Sequence, residues 1–217
     1  MKWSQAREYS VDVFSALRNL LLPCPEPLTF IHLPKCAGTS LRRALARCYR
    51  VPTSRRIENV PHNQVIRAAL SGPRVNFNLE ERLQVWDTAE RIGLYAMLSG
   101  APLVMGHLPF NRHRYKAVLH KRKFITVLRD PVERWISNYR NSRRSDSRHP
   151  WQEQSLSEFL ETEYARHYGS SMVTYLSGSR QIGDISCPEH LCAVAKENLE
   201  SRNSVLPTSN STPSHGI

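Results

Sequence analysis

Three short stretches of this sequence gather residue types that handle anions and protons. The first is Pro34-Lys35-Cys36-Ala37-Gly38-Thr39-Ser40, which follows the apolar run Leu28 to Leu33 and leads into helical spacing. A strand running into a helix start leaves free N–H groups aimed at whatever fills the turn, and an anion suits them. Lys35 adds a mobile positive charge, Gly38 permits close backbone approach, and Thr39 and Ser40 offer hydroxyls that also suit a helix cap. The second stretch is Arg129-Asp130-Pro131-Val132-Glu133-Arg134-Trp135-Ile136-Ser137. Arg129 at a strand end can grip a phosphate with two N–H groups, and Ser137, two helical turns on, can donate a hydroxyl to the same group. Asp130 fits an N-cap and Pro131 a first helical turn. The third, Met105-Gly106-His107-Leu108-Pro109-Phe110, ends an apolar run in a histidine able to accept a proton near neutral pH. His113 and His120 lie in a basic, solvated stretch, and Glu133 belongs to the helix start, so His107 is the first candidate for a base.

The first loop is not GxxxxGK[ST], because its lysine precedes the glycine, which weighs against an ordinary ATPase or GTPase. The His, Cys and carboxylate residues show no metal-ligand spacing, and no metal is expected. A formal net charge of +11 points to an anionic partner. Basic residues concentrate at Arg112 to Lys123 and at Arg140, Arg143, Arg144 and Arg148, which fits either a polyanionic or sugar acceptor or a solvated charged face. No recognised nucleic-acid motif is present, so nucleic acid is not expected as a partner.

The elements that must position these residues follow from periodicity. Leu28 to Leu33, Pro102 to His107 and Phe124 to Leu128 read as buried parallel strands, and Ser40 to Tyr49 and Leu79 to Leu98 as helices. Strands alternating with helices predict an α/β, three-layer, P-loop-like domain with a central parallel sheet flanked by helices. Ligands then collect at the carboxyl ends of the strands, where all three motifs fall. Pro52 to Asn78 reads as a loop and short helix. Residues 1–200 form one domain in this reading, and the Ser-, Thr-, Asn- and Pro-rich stretch from Ser201 to Ile217 is expected to be a disordered tail. Val11 to Leu22 reads as an amphipathic helix too short and too polar to span a membrane. Five cysteines without CxxC spacing imply a reducing, cytoplasmic setting.

The two loops together resemble those of the sulfotransferases, especially the carbohydrate branch that includes heparan sulfate 2-O-sulfotransferase. The resemblance covers roughly residues 27 to 200. It implies that the donor cosubstrate is 3′-phosphoadenosine 5′-phosphosulfate, with Lys35, Cys36, Ala37, Gly38, Thr39 and Ser40 on its 5′-phosphosulfate and Arg129 and Ser137 on its 3′-phosphate. It further implies that His107 is the general base toward a hydroxyl acceptor, a carbohydrate, and that Lys35 meets the charge on the departing bridging oxygen. Ser170 and Met172 stand where the family commonly has Asn and Gln, and relatives commonly continue past the helix expected at Glu189 to Glu200. Two alternatives remain open from sequence: a nucleotide-dependent phosphotransferase, and a non-catalytic nucleotide- or polyanion-binding protein of this fold.

Overall fold

The computed structural model describes residues 26–49, 57–71, 79–143, 155–178, 188–200 and 204–207. The expected helix at Val11 to Leu22, together with Arg144 and Arg148, lies outside them. Five strands, β1 (Leu28–Ile31), β2 (Ile57–Val60), β3 (Leu103–Gly106), β4 (Lys123–Leu128) and β5 (Ser204–Pro207), form one sheet in the order β2-β3-β1-β4-β5. Every neighbouring pair is parallel, and Ile31 stands opposite Gly106 on one side and Thr126 on the other.

β1 and β3 are buried along their whole length, as strands covered on both faces must be. Alternate side chains enter two different cores. Leu28, Phe30, Leu103, Met105 and Val127 meet Leu41, Leu45 and Ala46 of α1 (Gly38–Cys48) on one face. On the other, Ile31, Val104 and Phe124 pack with Val65 and Ile66 of α2 (His62–Leu70) and with Val85, Trp86 and Ala89 of α3 (Leu79–Leu98). After α4 (Pro131–Ser142) and the short α5 (Leu156–Leu160), the same core takes in Tyr175 and Leu176 of α6 (Glu163–Ser177) and Ala195 of α7 (Pro188–Glu200). Helices on both faces make the three-layer α/β, P-loop-like architecture expected from the sequence. Each fully buried Phe, Leu or Val on these strands contributes roughly 1.5–3 kcal/mol.

Two parts of the sequence reading are corrected. The stretch read as a loop and short helix contains a strand, β2, as well as α2, and four residues inside the expected disordered tail pair with β4 as β5. Strands of four residues with polar members carry too little periodic signal to be seen locally; their partners in the sheet define them.

Arg122 braces the amino edge of the sheet from inside. It is 8% exposed and its guanidinium donates to the carbonyls of Leu28 (2.8 Å), Ala101 (3.2 Å) and Met97 (3.5 Å), with burial pushing its pKa down to about 10.

A second buried group makes stability sensitive to acid. His167 of α6 lies 6.2 Å from the Trp86 ring, its Nδ1 is buried without a hydrogen-bond partner, and burial, then Arg82 and Arg134, push its pKa from 6.5 to about 3. The unfolded chain binds this proton near 6.5 and the folded one does not, so stability is complete above that pH and falls as pH descends toward 3. The unfolding free energy from urea titration should therefore decline below pH 6.5, by up to about 1.4 kcal/mol per pH unit for each such group. His167→Phe should make that decline shallower; an identical slope in the variant would place the acid sensitivity elsewhere.

Candidate functional site

The strand order puts the three sequence motifs side by side. β1 lies between β3 and β4, so the loop after β1 (32–37) emerges with His107 on one side and Arg129 on the other. Adjacent strands are about 4.8 Å apart, which separates the backbones carrying His107 and Arg129 by about 10 Å across the loop. Here also the chain changes direction, leaving β1 toward one edge and later crossing from β3 to β4 over it. Such switch points at carboxyl strand ends form crevices.

The first loop is a backbone cradle. Lys35 (φ 66°) and Ala37 (φ 55°) adopt left-handed conformations that cost a non-glycine residue about 1–2 kcal/mol, a cost typical of loops shaped around a ligand. α1 begins at Gly38 with Ala37 as its N-cap, no side chain caps it, and its first turn holds no acidic residue. Thr39 and Ser40, expected as caps, instead lie exposed inside the first turn, because the helix starts two residues before Ser40. The first-turn N–H groups therefore face the loop without a competing side-chain oxygen, which favours an external anion.

Cys36 supports the loop from beneath. Its side chain is fully buried, its amide donates to the Leu33 carbonyl at 3.3 Å, and burial raises its thiol pKa. The sulfur also faces the backbone N–H of Arg129 and the charge of Arg134, so it joins the two loops. Lys35 ties the first loop to the far end of α4 (Pro131–Ser142), donating through Nζ to Asn141 Oδ1 at 3.0 Å.

α4 starts as its sequence predicts. Asp130 caps it, its Oδ1 accepting from the Glu133 N–H at 2.9 Å, and Pro131 opens the first turn. Arg129 donates through Nε and Nη2 to Glu133 Oε2, both at 3.2 Å. A partly exposed pair four residues apart is worth only about 0.5 kcal/mol, so a phosphate can take the guanidinium from it. Glu133, Ser137 and Asn141 follow at four-residue intervals on one face, and Ser137 is half-buried there. Arg134, which sequence spacing does not mark as inward, is 1% exposed, donates to the Tyr168 carbonyl and lies by Cys36. Its sequence signal is its place four residues after the Asp130 cap, and that does not show which way it turns.

His107 is half-buried at the end of β3. Its Nδ1 lies 2.6 Å from the carbonyl oxygen of His32; a carbonyl only accepts, which assigns the proton to Nδ1 and leaves Nε2 with a lone pair. Desolvation lowers the pKa of His107, the bond to His32 raises it, and Arg42 lowers it, with a net lowering. Gly106 is required before it, since a Cβ there would lie 2.9 Å from the Val60 carbonyl oxygen.

The basic clusters fare differently. The segment from Arg112 to Lys123 begins near the site but returns to the amino end of β4, away from it. Arg112 pairs with Glu197, Arg114 with Asp87 and Glu90, and Lys123 with Glu26, while Arg122 is buried. Arg143 lies over the Tyr139 ring.

Fold and site together define a P-loop-like α/β domain whose candidate site lies at the carboxyl ends of β3, β1 and β4. The model of the Sulfotransferase family matches residues 24–191, and the chain belongs to that family, whose class of activity is sulfotransfer. No curated protein matches. Among solved structures, shikimate kinase from Bacteroides thetaiotaomicron is similar at 12% identity and a TM-score of 0.44, over 80% of this chain and 98% of that one. No helix among the described residues is long and apolar enough to cross a membrane.

Proposed function

We propose that this protein transfers the sulfuryl group of 3′-phosphoadenosine 5′-phosphosulfate to a hydroxyl, that of a carbohydrate, within a single domain. The observation that carries this reading is the row formed by His107, the 32–37 loop and Arg129 at adjacent strand ends. In it the backbone of Lys35 to Ser40 holds the 5′-phosphosulfate, and Arg129 and Ser137 hold the 3′-phosphate. The acceptor oxygen attacks sulfur in line as the bond from sulfur to the bridging oxygen breaks. Nε2 of His107 takes the acceptor proton, and Lys35 balances the charge gained by adenosine 3′,5′-bisphosphate. The carbohydrate acceptor rests on the family resemblance of the two loops.

Donor-site chemistry is tested by thermal shift with adenosine 3′,5′-bisphosphate, using ATP as control, on the wild type and on Arg129→Ala. Ligand at about 100 times its Kd should add roughly 2.7 kcal/mol, a rise of several degrees, and the Arg129→Ala protein should lose most of it. An equal response to ATP, or an undiminished shift in Arg129→Ala, would count against the reading.

A further inference from the structure

His32 touches both the first phosphate loop and His107. On the loop side it lies directly against Gly38: a Cβ at that position would fall 1.8 Å from its Cδ2 and 1.9 Å from its Nε2. Its ring also stacks on His107, with centroids 4.5 Å apart and planes 25° apart, and on Phe30 at 5.5 Å. The main chain adds two bonds. The His32 N–H donates to the Gly106 carbonyl at 2.9 Å, and its own carbonyl accepts from His107 Nδ1 at 2.6 Å. The glycine of the phosphate loop is thus needed to admit this ring, and the ring is sandwiched against the imidazole at the next strand end.

We propose that His32 is a positioning residue that locks the ring of His107 to the first phosphate loop, so that the proton acceptor and the donor-binding backbone are held as one unit. This rests on the reading of His107 as the base. The other groups facing His107 are His62 at the start of α2, edge-on at 5.6 Å and 83°, and the charge of Arg42 from α1. Desolvation, then His107 and Arg42, lower His32 to about 4, so near neutral pH it is uncharged and acts through shape and its carbonyl. His62 is lowered by desolvation and then by His107, although it keeps a solvent-exposed side. Of the three imidazoles, only His107 has a ring nitrogen fixed by the His32 carbonyl, and this leaves Nε2 as its free base position.

The test uses the full chain with His32→Ala and His32→Phe, and reads the ring-nitrogen NMR shifts of His107, the bisphosphate Kd and kcat. In the wild type His107 should show a protonated Nδ1 and a bare Nε2. His32→Ala keeps the carbonyl but removes the stacking ring, so the His107 ring should turn off that carbonyl, mix the two tautomers and lower kcat about 10-fold or more while changing the bisphosphate Kd less than about 3-fold. His32→Phe, which keeps the stacking ring and the carbonyl, should restore the tautomer and most of the rate. An unchanged tautomer and kcat in His32→Ala overturns the proposal. So does a His32→Phe protein as slow as His32→Ala with the His107 tautomer intact, because the imidazole of His32 would then be doing chemistry. Should His32→Ala not fold, Gly38→Ala pushes the same ring from the other side; tautomer mixing is again expected, and an undisturbed tautomer overturns the inference. The NMR readout needs neither donor nor acceptor, so a failure of bisphosphate binding would sink the proposed function and leave this inference to be judged separately.

Discussion

Replacing His107 with alanine is expected to slow acceptor sulfation by roughly 10²–10⁴-fold, the usual contribution of one general base. Adenosine 3′,5′-bisphosphate should bind with unchanged affinity, because the loop backbone and Arg129 that would hold it lie on β1 and β4, whereas His107 ends β3. The pH profile supplies a second reading. The pKa of His107 is lowered chiefly by desolvation, so its neutral, proton-accepting form persists below the ordinary histidine value of 6.5. Activity carried by this group is present above its folded pKa and lost as pH falls through it, and the acid limb of kcat/KM should therefore have its midpoint below pH 6.5. Wild-type turnover by His107→Ala, with normal bisphosphate binding, would remove the residue from the chemistry.

Lys35→Ala should lower kcat by about 10²–10³-fold, the scale seen when one donor to a developing oxyanion is deleted. The argument is about when the charge appears. The bridging oxygen becomes fully anionic only as its bond to sulfur breaks, so a cation beside it stabilises the transition state more than the bound donor. Lys35 sits in a left-handed turn immediately before the α1 N-terminus, and its ammonium ties that turn to Asn141 in the last turn of α4. Single-turnover rates with saturating donor, set beside the bisphosphate Kd, separate the cases. A rate loss far exceeding the affinity loss is expected; equal losses would mean that Lys35 only helps to bind the nucleotide.

The strand-to-helix turns at 34–40 and 129–137 were legible because their signals are local. The Asp130-Pro131 start of α4, the Lys35 to Ser40 turn and the buried strands before them each depend on neighbours within a few residues, and each forms where its pattern indicates. The cap of α1 was misread for the same local reason: Thr39 and Ser40 have capping side chains, but the left-handed Ala37 starts the helix earlier. β2, β5 and the inward turn of Arg134 were not legible. Two of these are four-residue strands held by sheet partners far along the chain, and Arg134 is drawn inside by the Tyr168 carbonyl, 34 residues away.

By itself the sequence determined the α/β alternation, the parallel character of the buried strands and the strand-to-helix turns at 34–40 and 129–137, since each is written in periodicity or in backbone chemistry over short spans. Only the tertiary structure decided that β1 would lie between β3 and β4. That order brings His107 to the carbonyl of His32 across 75 positions of sequence, with the His32 ring against Gly38, while Cys36 goes beneath the loop as a link to Arg129. The physical reason is that strand order and side-chain burial are fixed by the packing of two cores on opposite faces of one sheet, a global balance to which no single stretch of the chain holds the key.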